Sequence, residues 1–298
     1  MKYIQHPICS IFILLLICFI SSCSEIYEYE FESQAPLLVV EGLITNTTGP
    51  HYVRLTESIN EVVKPDYSGS PVEITQPITG AMVTLSDDMG NTEELRYTGH
   101  QEGTYPETQG WYIIEEIEGA VGRTYTLTIE WNGKIYTAED RMEPVPAIEK
   151  VGFKRKHLSA KNEDVDIPLI YFYEPQGVKN YYLMYYSVDG FFGSNRNWSF
   201  SILNDEFLDA HVDGLEMDDG QSPTGQDFYE YIGGGAQVDV YLESLSEPAY
   251  EFYRGVIDQF DADGGAFSPA PATPVGNISG GALGLFRASA VSKKSTTK

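Results

Sequence analysis

A mainly β architecture is predicted by three features of the 298-residue chain. Aromatic usage is high and led by tyrosine, with 21 Tyr and 14 Phe against 3 Trp, which suits the pleated, half-buried surface of strands. Apolar segments of strand length recur between clusters of Gly, Pro, Asn and Asp. Long helical periodicities are scarce. The chain is long enough for two ordinary domains, and two β-rich units are expected.

The first unit spans residues 35–143. Leu37–Ile44 is a buried strand ended by Asn46-Thr47-Thr48-Gly49-Pro50, and His51–Thr56 alternates with period two, as a strand with one solvated face does. Residues 60–77 form a long loop. Ala81–Leu85 and Glu94–Tyr97 flank the turn-rich Asp87-Asp88-Met89-Gly90-Asn91. Gly110–Ile117, Thr124–Trp131 and Lys134–Ala138 follow, the last two joined by Asn132-Gly133, the strongest short hairpin signal because both residues accept positive φ. Seven strands at this spacing make a β-sandwich of immunoglobulin-like type. Met142-Glu143-Pro144-Val145-Pro146 ends it as a stiff, extended linker.

The second unit spans residues 144–291. Ile148–Lys156, Ile167–Tyr173, Tyr181–Asp189 and Gln237–Ser244 are strands, the last a clean alternation of Val238, Val240 and Leu242. The polar segment 204–235 is expected to hold a short helix and loops. A helix over 247–260 is predicted with Ser246 as N-cap and Pro248 in its first turn, lining Tyr253, Val256, Ile257 and Phe260 along one face. Ala282–Ala290 is a final strand, and residues 292–298 are read as a disordered tail.

The N-terminus carries a different signal. Lys2, the apolar run Ile11–Ile20 and Ile20-Ser21-Ser22-Cys23 have the cationic start, short apolar core and small residues before a cysteine that mark a bacterial lipoprotein leader over residues 1–22. The run is too short to span a bilayer. Cys23 is therefore the expected lipidation site and membrane anchor. Cys9 and Cys18 leave with the leader, so no intrachain disulfide and no cysteine-based zinc arrangement is expected in the mature chain. Residues 23–34 form an acidic tether. Ser24-Glu25-Ile26-Tyr27-Glu28-Tyr29-Glu30-Phe31-Glu32 is either a solvated spacer or, by resemblance, the acidic export signal that follows the lipidated cysteine in surface lipoproteins of the Bacteroidota. The expected location is the outer membrane, lipid-anchored and facing the cell surface.

Charge narrows the partners. The formal net charge is -25, and a surface this acidic repels nucleic acid, so no nucleic-acid partner is expected. Asp213, Glu216, Asp218 and Asp219 form the densest carboxylate cluster and would suit calcium. Their spacing fails the EF-hand pattern, because placing Gly220 at the turn puts Leu215 and Met217 where acidic ligands belong. A solvated acidic loop is the expectation there, and no resident cofactor is assigned. The histidines His51, His100, His157 and His211 lack zincin spacing, and neither a nucleophile elbow nor a phosphate-cradling loop occurs. No catalytic residue is named and no enzyme is expected. Phe191, Phe192 and Trp198, beside Gly190 and Gly193-Ser194-Asn195, are the candidate ligand or partner contacts, with core packing as the competing explanation.

Several segments carry a family resemblance: Val39-Val40-Glu41-Gly42, Gly80–Asp87, Val121–Ile129, Ser246–Tyr253 and Asn277–Phe286. Together and in this order they resemble Bacteroidota outer-membrane lipoproteins of domain-of-unknown-function family four-two-four-nine. The resemblance implies an accessory or lid subunit working beside a TonB-dependent receptor barrel in nutrient uptake. It supplies no catalytic residues. A free-standing glycan- or protein-binding adhesion lipoprotein is the alternative.

Overall fold

A computed structural model describes residues 35–58, 76–99, 109–158, 163–191, 201–217, 232–261 and 273–298. The described residues of the first half form β1 (Leu38–Thr45), β2 (His51–Glu57), β3 (Gln76–Pro77), β4 (Met82–Asp87), β5 (Thr92–Glu94), β6 (Arg96–Gly99), β7 (Trp111–Ile114), β8 (Thr124–Trp131) and β9 (Lys134–Arg141). The second half adds β10 (Lys150–Leu158), β11 (Glu163–Tyr173), β12 (Tyr181–Val188), β13 (Ser201–Asn204), β14 (His211–Glu216), β15 (Gln237–Leu245), helix α1 (Glu247–Asp261), β16 (Leu283–Ser289) and β17 (Val291–Thr297). The mainly β expectation holds.

Two sheets share the first core. One runs β16-β1-β2-β7-β6 with β3 beside β2, and the other β5-β4-β8-β9. Strict alternation explains the packing: Tyr125, Leu127 and Ile129 of β8 point inward while Thr124, Thr126 and Thr128 stay on the outer face. Val40, Val53 and Leu55 close the core from the opposite sheet. The Asn132-Gly133 turn is as expected, with φ of 49° and 71° and Trp131 paired to Lys134. The strand expected at Glu94–Tyr97 is in fact two. The chain passes from one sheet to the other at Leu95, a core residue whose N–H donates to Val83 O at 2.8 Å.

The second core lies between sheet β10-β11-β14 and sheet β13-β12-β15-β17. Ile170, Phe172 and Val212 meet Tyr182, Met184, Val238, Val240 and Leu242. Helix α1 covers the other face of the second of these sheets, packing Ala249, Tyr250 and Tyr253 on Tyr181, Leu183 and Leu245. Ser246 caps it as expected, accepting from Ala249 N–H at 3.3 Å.

Three expectations are corrected. The division at 143/144 does not separate two cores, because β16 pairs in parallel with β1 from Val39↔Leu283 to Thr45↔Ser289. Its Phe286 and Ala288 enter the first core, while Leu285 on its opposite face joins the helix-side cluster. Strand alternation lets one segment serve both. Nor is 142–146 a free linker: Met142 is fully buried, and Glu143 bridges to Ser289 and accepts from Ser244 Oγ at 2.6 Å. Residues 292–298 are not a disordered tail either. Val291–Thr297 is an edge strand along β15, whose backbone polar groups it satisfies on the side away from β12. Within 204–235, His211–Glu216 is a strand, accommodated against β11 by a register shift between Ile170 and Tyr171, and Asp205–Phe207 is a single 3₁₀ turn.

Candidate functional site

Among the residues named from sequence, Phe191 is the best defined. Asp189 and Gly190 adopt φ of 50° and 83°, and Val188 and Phe191 exchange backbone hydrogen bonds of 2.9 Å each, which makes a tight hairpin-type turn. Asp189 is pinned further, its Oδ1 accepting from Gln237 N–H at 2.8 Å. Phe191 is 71% exposed on this rigid support. Core packing is therefore excluded for it. Phe192, Trp198 and Cys23, the expected lipidation site, lie outside the described residues, as do Asp218 and Asp219.

The remaining calcium candidates do not converge. Asp213 is exposed on β14, and Glu216 is ion-paired with Lys154. His157 and His211 each contact a single carboxylate, Asp164 at 2.8 Å and Glu149 at 3.3 Å. Among the described residues no three His, Cys, Asp or Glu side chains are grouped to hold a metal ion.

The structure assembles a constellation that the sequence reading missed, on the helix-side face of sheet β13-β12-β15-β17. Tyr185 of β12 and Tyr241 of β15 are register partners, and their rings stack at 4.7 Å with planes 9° apart. Lys293 of β17 lies 5.2 Å over Tyr241 and pairs with Asp239 at 2.8 Å. One row further, Tyr185 Oη donates to Glu243 at 2.5 Å, and Glu243 pairs with Arg287 of β16, both nearly devoid of solvent. Arg287 also donates to Ser289 Oγ at 2.7 Å and sits 5.8 Å from the Tyr253 ring of α1. Beside the stack, the fully buried Ser187 Oγ has no hydrogen-bond partner among the described residues. The doublet Tyr181-Tyr182, then Tyr185-Tyr186, is the signal that could have indicated aromatic rings on both faces of this strand.

Electrostatics distinguish these groups. Burial pushes the Tyr185 phenol up, and the neighbouring Glu243 carboxylate adds to it, so the phenol stays neutral and donates. For Arg287 burial alone would lower the pKa; Glu243 beside it more than offsets that, and the guanidinium remains charged. Asp140 of β9 is pushed up to about 6 by burial, against the opposing effect of hydrogen bonds from Ser246 and from Ala288 N–H at 2.8 Å and of the Arg287 charge.

That shift has a measurable sign. With a folded pKa near 6 against an ordinary 3.8, the native state binds the Asp140 proton more tightly, so this residue's contribution to stability falls as pH rises from 4 to 6. The decline amounts to about 3 kcal/mol at full effect. In Asp140→Asn it is expected to vanish. Urea unfolding of both proteins at pH 4, 5, 6 and 7 checks this through the difference between them, which cancels the opposite slopes from Asp166 and Asp239, whose pKa values are lowered by Lys298 and Lys293.

The fold and site thus define a mainly β protein with two cores and a tyrosine-rich, ion-paired face between sheet and helix. Residues 24–295 match the family model described as Domain of unknown function (DUF4249), and the chain belongs to that family. Comparison with curated proteins returns no match. No helix among the described residues is long and apolar enough to cross a membrane.

Proposed function

We propose that this protein is a surface-exposed outer-membrane lipoprotein, acylated at Cys23, that acts without catalysis as an accessory or lid subunit of a TonB-dependent nutrient transporter. The observation that carries the reading is the junction at Cys23. The leader pattern ends there, and the family match opens at residue 24, the next position. The transporter partnership rests on the family resemblance. It is supported by Phe191, an exposed aromatic on a rigid turn, the kind of anchor that protein interfaces favour. The finer reading of the first two sheets is an immunoglobulin-like sandwich.

Affinity purification of the tagged, lipidated protein from native outer membranes in mild detergent tests the reading. Stoichiometric recovery of a TonB-dependent barrel is expected. Recovery of the lipoprotein alone would favour the free-standing glycan- or protein-binding adhesion alternative. Cys23→Ala is expected to leave a protein that no longer sediments with membranes, since it removes the site of the lipid. Equal retention of this variant in the membrane fraction would refute lipidation at Cys23.

A further inference from the structure

Basic residues are scarce in this chain, 19 Lys and Arg against 44 Asp and Glu, yet two neighbouring strands concentrate them. β10 and β17 contain no carboxylate, while Lys150, Lys154, Arg155 and Lys156 lie on the first and Lys293 and Lys294 on the second. Lys298 follows directly, so seven of the 19 cations occupy this place. Both strands are sheet edges. They lie side by side, with Ile148 N–H donating to Ser292 Oγ at 2.9 Å and the Lys298 ammonium 5.2 Å over the Phe153 ring. Lys154 and Lys293 have partners in Glu216 and Asp239, and Arg155 and Lys298 share Asp166. Among the described residues, Lys150 and Lys294 have no carboxylate partner; Lys150 lies 4.1 Å over the Tyr171 ring and Lys294 is exposed.

We infer that the β10 edge, flanked by β17, is a docking strip for an acidic, extended segment of a partner protein. β10 is nine residues long, free of proline, and pairs with β11 in unbroken register. Among the described strands it is hydrogen-bonded on that side alone. Strand addition to such an edge is driven by backbone pairing, and the cations select the side chains of the incoming strand. The same cations repel a second copy of this edge, as edge lysines generally do. Acidic strands are admitted and self-pairing is disfavoured. A phosphate-bearing lipid surface would satisfy the charge but leave the backbone edge unpaired. The inference stands apart from the transporter reading, since it fixes the chemistry of the partner and not its identity.

The test uses the full mature chain and a fluorescein-labelled peptide alternating Glu with Val, followed by anisotropy. Binding is expected to weaken with salt and to fall at least roughly tenfold in Lys150→Glu/Lys294→Glu. A twin peptide with a central proline is expected not to bind, and the β10 amides are expected to exchange more slowly in the complex. Because both substituted lysines are surface residues, circular dichroism serves to confirm the variant's fold. Absence of binding, equal binding of the proline twin or of the variant protein, or preference for phosphatidylglycerol vesicles over the peptide would overturn the inference.

Discussion

Phe286→Ala is expected to lower stability by about 3–5 kcal/mol, the range for removing a fully buried aromatic side chain, and to do so by loosening the half of the molecule remote in sequence from the substitution. Phe286 is fully buried, and its ring occupies the space above Gly42 of β1, where a Cβ on that glycine would meet Phe286 Cδ2 at 2.8 Å. Gly284 is locked for a related reason. It has φ of 96°, and a Cβ there would lie 2.0 Å from Val40 O, so Gly284→Ala is expected to disrupt the β1–β16 pairing itself. The same reasoning applies to a fragment of residues 35–144. Without β16 it lacks Phe286, Ala288 and Ala290 from its core, and collapsed, poorly dispersed amide resonances are expected. A well-dispersed spectrum from that fragment would contradict a core completed by β16.

Arg287→Ala is expected to cost about 3–5 kcal/mol, because it leaves the Glu243 carboxylate buried without its counter-charge. The size reflects the stranded charge more than the worth of the pair. Replacing both partners, Arg287→Met with Glu243→Leu, should therefore recover part of the loss. Full recovery is not expected, since the hydrogen bonds from Tyr185 Oη to Glu243 and from Arg287 to Ser289 Oγ would be lost. Chemical denaturation of the single and double variants separates these contributions. A double variant no more stable than Arg287→Ala would show that the pair is not the origin of the loss.

What could be read from sequence was local. Alternation in Thr124–Trp131, the Asn132-Gly133 turn and the Ser246 cap depend on neighbouring residues alone, and each is found where expected. The segments that escaped owe their conformation to distant partners. Val291–Thr297 is too polar to look like a strand, and becomes one because β15 offers it an unpaired edge. His211–Glu216 contains a glycine and two carboxylates, and is held extended by β11 through a register shift. The assignment of Leu283–Ser289 to the first core could not be seen, because nothing local distinguishes a strand that ends one sheet from a strand that completes another. The candidate site divides the same way. Phe191 was legible from its turn, whereas the Tyr185–Tyr241 stack and the Arg287–Glu243 pair exist only through the register of β12, β15 and β16.

The closing of β1 by β16 also orders events in time. The first of the described strands waits for one more than 200 residues downstream, so the first core is completed only after residues 283–289 have been made. Contacts so far apart in sequence form slowly. In the proposed lipoprotein reading, with residues 1–22 a leader, that delay keeps the chain threadable and is compatible with crossing a membrane before folding: maturation would be deferred to the compartment of destination.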